Sequence, residues 1–300
     1  MTSSRDAVSL PAPAKINLSL HVCGKRADGY HLLDSLVCFA GVADIVTARH
    51  ANDLRLAISG PFADALSADE DNLVLKAARF LAARDERTPK AHLTLEKHLP
   101  VASGIGGGSS DAAATLIACG QLWNIDTASI PNTEIATALG ADVPVCLARV
   151  PKRMTGIGEH LEPVPVLPPA WLVLVNPQRP LATKAVFNAL KGRHSGPAPT
   201  LPSRFNDVRD LASYLAACTN DLAAPAAETL PDIGLVLTTV GGATGCLLAR
   251  LSGSGPTCFG LFGTQAEAQN AAAAIAARQP VWWVVAAPIL SNTVGPIVPR

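Results

Sequence analysis

"LPVASGIGGGSSDAAATL", residues 99–116, sets four glycines and three serines between a strand-like run and an alanine-rich helix. Glycine inside a regular element costs about 1 kcal/mol against alanine, so Gly104, Gly106, Gly107 and Gly108 mark backbone that needs freedom. A hinge, a tight turn or a loop wrapped around an anion would each explain them. The pattern is not the G-x-x-x-x-G-K-[ST] phosphate loop, since no lysine follows the glycines. Nor is it the dinucleotide fingerprint, because Ser109 stands where the third glycine belongs. What it offers is convergent N–H groups opening into a helix near Ser110, whose positive end favours anions. Ser109 and Ser110 add hydroxyls for a phosphate oxygen or a magnesium ion, and Asp111 suits the helix dipole. Phosphate binding is therefore preferred to a hinge that merely caps a helix.

Around this loop the chain alternates between strand and helix signals. In "AKINLSLHV", residues 14–22, Ala14, Ile16, Leu18, Leu20 and Val22 share one face, and Lys15, Asn17, Ser19 and His21 the other. An Asp28-Gly29 turn leads to a second strand over 30–40, and a third is expected at 54–59. The spacing predicts a helix over 71–84, capped by Asp71 or Asn72, and a shorter one ending at Gly140. Prolines at 163, 165, 168 and 169 mark a stiff connection. Beyond it lie a strand at 170–176 and a short helix from Thr183. Helices near 207–217, 221–229 and from Ile233 come next. Two strands around the Ser252–Gly255 turn, a helix from Thr264 and a closing strand end the pattern. Strands and helices without strict βαβ alternation indicate an α+β fold. Segments 148–170 and 191–205, and the Asn220-Asp221 pair, yield no reading.

Three hundred residues suit two domains, and 49% hydrophobic against 16% charged residues excludes a disordered chain. Lysine and arginine balance aspartate and glutamate at 24 each, so no overall field favours nucleic acid or an anionic membrane. A small-molecule ligand remains. The seven cysteines form no C-x-x-C pair, which argues against a zinc site or a disulfide framework. No apolar run reaches the length of a membrane span, and no basic, then apolar, leader precedes the first strand. The expectation is a cytoplasmic protein with reduced thiols, a monomer or weak homodimer.

Three segments in order, "PAKINLSLHV", the glycine loop and "LSGSGPTCFGLF", resemble the GHMP kinases across nearly the whole chain. The resemblance implies a two-domain α+β fold. An N-terminal, ribosomal-protein-S5-domain-2-like ATP-binding domain would span 1–158, and a ferredoxin-like substrate domain 159–300. It implies ATP with Mg2+, no firmly assigned metal ligand in the chain, and a nucleotide held by Pro100, Val101, Ala102, Ser103, Gly104, Ile105, Gly106, Gly107, Gly108, Ser109 and Ser110. "RADGYH" and "LGADVP" narrow the likeness to the branch that phosphorylates the 2-hydroxyl of a cytidine-diphosphate-linked methylerythritol.

In that branch Asp142 is the base for the alcohol and Lys15 its catalytic companion. By spacing alone Asp142 would be a turn or capping aspartate, and Lys15 a solvated strand residue. An ammonium beside a carboxylate keeps it ionised and offsets charge on a transferring phosphoryl group. The substrate residues implied are Asn17, Tyr30, His31, Thr183 and Phe187, with Tyr30 and His31 on the cytosine and Phe187 over its other face. Another GHMP kinase, acting on mevalonate, homoserine or a sugar, would have no need of a pyrimidine platform. A catalytically silent sensor would lack Lys15, Asp142 or the glycine loop.

Overall fold

The computed structural model describes residues 6–290. Its first sheet is organised by one long strand. Strands β1 (Ala7–Asn17) and β2 (His21–Lys25) share one edge of β3 (His31–Arg49), both antiparallel to it. The alternation at 14–22 thus belongs to two strands. The amides of Leu18 and Ser19 both reach the Leu36 carbonyl, at 2.8 and 3.4 Å, and this bulge turns the chain between them. Strand β4 (Leu54–Ser59) runs parallel to β5 (Ala91–Glu96). The far edge of β3 pairs with β5 and with β6 (Lys152–Gly156), and β7 (His160–Pro163) completes seven strands. The β6–β7 hairpin fills part of the segment unread in the sequence. It carries the first sheet to Pro163 and so straddles the expected 158/159 boundary.

Helices α1 (Leu73–Arg84), α2 (Gly107–Trp123), α3 (Asn132–Leu139) and α4 (Val143–Ala148) cover one face of this sheet. Asn72, not Asp71, caps α1: its Oδ1 accepts the Val74 amide at 2.9 Å. Helix α2 carries a wide apolar surface because alanine and leucine surround Ser110 and Asp111, and it packs between α1, α4 and the sheet.

The second sheet contains β8 (Trp171–Asn176), β9 (Leu248–Leu251), β10 (Cys258–Phe262) and β11 (Trp283–Pro288), all antiparallel in the order β11-β8-β10-β9. Taken in chain order this is 4-1-3-2, the ferredoxin-like arrangement expected from the resemblance. Helices α5 (Thr183–Ala189), α6 (Val208–Ala217), α7 (Ala223–Thr229) and α8 (Asp232–Gly241) intervene between its first and second strands. Helix α9 (Gln265–Arg278) opens with a Thr264/Glu267 capping box.

Period-two alternation assigns each side chain to a layer. Leu172, Leu174, Phe259, Leu261, Val285 and Ala287 turn toward the first sheet and meet Ala14, Ile16, Leu18, Leu36, Cys38 and Ala40. Val173, Val175, Cys258 and Phe262 turn the other way, beneath α7, α8 and α9. The molecule is thus helix, sheet, sheet, helix, with a continuous apolar core between the two sheets. All seven cysteines are free thiols. Among the described residues no helix is long and apolar enough to cross a membrane.

Candidate active site

The glycine-rich stretch is a loop of left-handed residues ending in a helix N-terminus. Ala102, Gly104 and Gly106 have φ of 50°, 75° and 62°. The first intrahelical bond of α2 is Ser110 N–H to the Gly106 carbonyl, at 2.8 Å. The amides of Gly107, Gly108 and Ser109 precede it and have no acceptor within the helix. All three residues line a cavity of about 1020 Å³. Contact adds to φ at two of these glycines, decisively at Gly104 and tightly at Gly106. A Cβ on Gly104 would lie 2.6 Å from the Ser252 carbonyl oxygen, and one on Gly106 3.0 Å from the Lys15 side chain.

Lys15 sits directly behind Gly106. Its N–H donates to the Ile105 carbonyl at 2.9 Å, and its Nζ donates to Asp142 Oδ2 and Asn17 Oδ1, both at 2.9 Å. The lysine is 3% exposed, so it is no solvated strand residue. Asp142 opens α4 without capping it through its side chain, and its carboxylate is about a third exposed, toward the cavity. The Asn17 amide is oriented in turn by Nδ2 to Ser35 Oγ at 2.7 Å. The Ser252–Gly255 turn closes the back of the loop. Ser252 Oγ donates to the Gly104 carbonyl at 3.0 Å and accepts the Asn17 backbone N–H at 3.2 Å.

Tyr30, His31, Thr183 and Phe187 line the same cavity. Tyr30 is 60% exposed, an aromatic ring standing free at the entrance. His31 and Phe187 stack with centroids 4.8 Å apart and planes at 27°. Burial, with Lys25 and His194 nearby, lowers the His31 pKa, so the imidazole is neutral at neutral pH and offers one donor and one acceptor. Thr183 Oγ1 lies 2.8 Å from Ser254 Oγ, which ties α5 to the glycine turn. On the other side of the loop the wall runs from Leu66 to Val74, and Leu73 lies 3.4 Å from a Cβ built on Gly108.

Two residues of the loop, Ser110 and Ile105, turn their side chains away from the cavity. Ser110 is 2% exposed; its hydroxyl donates to the Pro13 carbonyl at 2.7 Å and its amide is used within the helix. It has nothing left for a phosphate. Ile105 is fully buried in the core between the sheets, because its side chain alternates away from Gly104 and Gly106. Pro100, Val101, Ala102, Ser103, Gly104 and Gly106–Ser109 all line the cavity.

Beneath Gly107 lies a buried charge cluster that sequence inspection missed. Lys97 Nζ pairs with Asp44 at 2.5 Å and Asp111 at 2.7 Å. Asp44 Oδ1 also accepts the amides of His98 and Leu99, at 2.5 and 2.8 Å, and so directs the chain from β5 into the loop. Among the described residues Asp111 Oδ1 has no partner. Burial, with Asp44 adding to it and Lys97 opposing, raises the Asp111 pKa. Lys97 and Asp111 form part of the cavity floor. In sequence Lys97 looks like one more polar residue after an alternating strand, and nothing links it to positions 44 and 111.

The family model for the N-terminal domain of GHMP kinases matches residues 72–149, and that for the C-terminal domain residues 201–280. The chain has the two domains of a GHMP-type kinase, an ATP-dependent enzyme. A protein of Paramagnetospirillum magneticum named 4-diphosphocytidyl-2-C-methyl-D-erythritol kinase is 52% identical over 94% of this chain and 99% of its own. A crystal structure of 4-(cytidine 5'-diphospho)-2C-methyl-D-erythritol kinase superimposes with a TM-score of 0.77 at 30% identity, over 94% of this chain and 99% of that one. Homoserine kinase from Cytophaga hutchinsonii, at 18% identity and a TM-score of 0.71 over 98% of both chains, shares the fold. The chain belongs to the 4-diphosphocytidyl-2-C-methyl-D-erythritol kinase family.

Proposed function

We propose that the protein transfers the γ-phosphoryl group of ATP to the 2-hydroxyl of 4-diphosphocytidyl-2-C-methyl-D-erythritol. One observation carries the reading: the Lys15–Asp142 pair, 2.9 Å apart, opens onto the same cavity as the phosphate loop and the Tyr30/His31/Phe187 cluster. The cavity's volume of about 1020 Å³ lies at the upper end of the range for small-molecule sites.

The residues divide the work. The amides of Gly107, Gly108 and Ser109 and the N-terminus of α2 hold the nucleotide phosphates. The Asp142 carboxylate accepts the proton of the substrate alcohol as the alcohol oxygen attacks in line. Lys15, 2.9 Å from Asp142, places an ammonium where charge grows on the transferring group. Asn17 fixes the Lys15 side chain between two acceptors. The cytosine lies on the exposed Tyr30 ring, with the stacked His31 and Phe187 rings beside it and the neutral imidazole offering its donor and acceptor. Binding at the base thereby positions a hydroxyl several bonds away. His31 and Phe187 already touch, so their stack forms a ready wall for the base instead of a slot between them.

Magnesium fits this donor set as a companion of the nucleotide. Mg2+ keeps several waters and is usually bound by one or two protein oxygens plus substrate phosphates, and Ser109 Oγ on the cavity wall suits that role. When bound it neutralises phosphate charge. We place the domain boundary in the proline-rich connection after Pro163, where the first sheet ends. The expected cytoplasmic location and weakly associating or monomeric state belong to this same reading of a small-molecule kinase.

The test is ADP release measured in parallel with 4-diphosphocytidyl-methylerythritol, mevalonate, homoserine and galactose. Turnover is expected with the first alone. Equal turnover with methylerythritol phosphate lacking cytidine would refute the roles of Tyr30 and His31.

A further inference from the structure

The segment Thr219–Asp221 and the loop after α5 lie outside the chemistry just described, yet they carry a dense set of hydrogen bonds, buried around Asn220 and half-buried to exposed around Asp221. Asn220, 7% exposed, donates its side-chain amide to the carbonyls of Leu251 and Gly253, at 2.8 and 2.9 Å. Those carbonyls flank Ser252, the residue that binds the Gly104 carbonyl and the Asn17 backbone N–H. Gly253 itself approaches so closely that a Cβ there would lie 2.9 Å from the Gly104 carbonyl oxygen. Asn220 therefore holds the turn that backs the phosphate loop.

Asp221 points the other way. Its Oδ2 accepts from Val22 N–H at 2.8 Å, Ser195 N–H at 3.0 Å and Ser195 Oγ at 2.9 Å, while Oδ1 accepts from Thr219 Oγ1 at 2.7 Å. His21 completes the set. Its Nε2 accepts the Thr219 amide at 3.1 Å, so its proton is on Nδ1, which donates to Ser195 Oγ at 2.8 Å. The segment bound this way follows directly on α5, whose Phe187 stacks on His31 next to β2. The two arms meet again where Thr183 of α5 touches Ser254 of the turn.

We propose that Asn220 and Asp221 are paired positioning residues: Asn220 sets the glycine turn against the phosphate loop, and Asp221 fixes the segment after α5 so that Phe187 stays over His31. Adjacent in sequence but opposed in direction, they key the nucleotide and base ends of the cavity to one short segment. The Asp221 arm rests on the cytidine reading given above.

The experiment measures binding of MgADP and of cytidine 5'-diphosphate separately, by calorimetry on the full chain. Asn220→Asp turns a donor into a carboxylate facing two carbonyls. It is expected to weaken MgADP about tenfold and leave cytidine diphosphate within about twofold. Asp221→Ala is expected to do the reverse, by a similar factor. A merely structural pair would weaken both ligands together. Equal losses for both ligands, or no loss in either variant, overturns the proposal. If the wild-type chain binds MgADP but no cytidine diphosphate, the cytidine reading fails and the Asp221 arm with it, while the Asn220 arm is still decided by MgADP. Should Asp221→Ala not fold, Ser195→Ala tests the same arm through the lost hydroxyl, and Asn220→Ser does so for the other. The same crossed pattern supports the proposal and parallel losses refute it.

Discussion

Replacing Lys97 by methionine would remove the one cation between two buried carboxylates. Asp44 and Asp111 are 0% and 2% exposed, and among the described residues the backbone donors that would remain are the amides of His98 and Leu99, both on Asp44. Breaking a buried ion pair by deleting one partner costs about 3–5 kcal/mol. Unfolding entropy of about 2.1 cal/mol/K per residue over this 300-residue chain turns 4 kcal/mol into a Tm fall of about 6 °C. Asp111→Asn should behave differently. It keeps the shape and leaves a neutral Lys97–Asp44 pair, so its cost stays under about 1 kcal/mol. In the double variant the amide should recover about 1–2 kcal/mol of the methionine's penalty, a coupling that a thermal or urea double-mutant cycle reads directly. The pH profile supplies a second sign. The folded-state pKa of Asp111 is raised, chiefly by burial. Its contribution is therefore full below the ordinary carboxylate range and is lost as pH rises through the raised value, and Asp111→Asn should flatten that limb. If Lys97→Met costs less than Asp111→Asn, or the two penalties simply add, the account of this cluster is wrong.

Three further outcomes concern the reaction. Asp142→Asn and Lys15→Met should each lower kcat by about 10²–10⁴-fold, and the double variant little further, because base and ammonium act as one unit; a coupled ADP assay measures this. Gly106→Ala places a methyl 3.0 Å from the Lys15 side chain at φ 62°, so kcat should fall while a folding cost of about 1 kcal/mol leaves the chain folded by circular dichroism. KM for the cytidine substrate should stay flat from neutral pH upward. It should rise only as acid protonates His31, whose pKa lies below its ordinary value of 6.5; a profile centred above that value would refute the neutral-imidazole role.

Local patterns in the sequence gave most of the elements, because alternation and capping act over a few residues. The exceptions are instructive. The 14–22 run reads as one strand since its alternation continues unbroken, and only the shared Leu36 carbonyl shows where β1 ends and β2 begins. Helix α4 is six residues long and starts beside Pro144, too short for a periodic signal. Within the site, Lys15 and Asp142 came from the order of family motifs, for nothing local joins residues that far apart. Ser109 and Ser110 are alike on paper. Helical rotation sends one to the cavity and the other to the Pro13 carbonyl, and that depends on which side the sheet lies. The Lys97 cluster and the Asn220–Asp221 segment are tertiary by nature, assembled from contacts that no window of sequence contains.

Why an ammonium should be nearly inaccessible on a strand follows from the layering. Lys15 is opposite Phe39 and Asn17 opposite Val37 in the β1–β3 register, and cross-strand partners point to the same face. Phe39 and Val37 belong to the core under the helices, so Lys15 and Asn17 also face the helical layer, while Ile16 faces the second sheet. A cation beneath a continuous helix would be buried without recompense. Here the helix covering that face begins only at Gly107, and the residue before it is a glycine pressed against the lysine. The gap in the helical layer at the start of α2 is thus the cavity itself. It admits Asp142 as the lysine's partner and exposes amides without helical acceptors beside it, so the same break in the layer that makes the buried charge tolerable also forms the phosphate site proposed above.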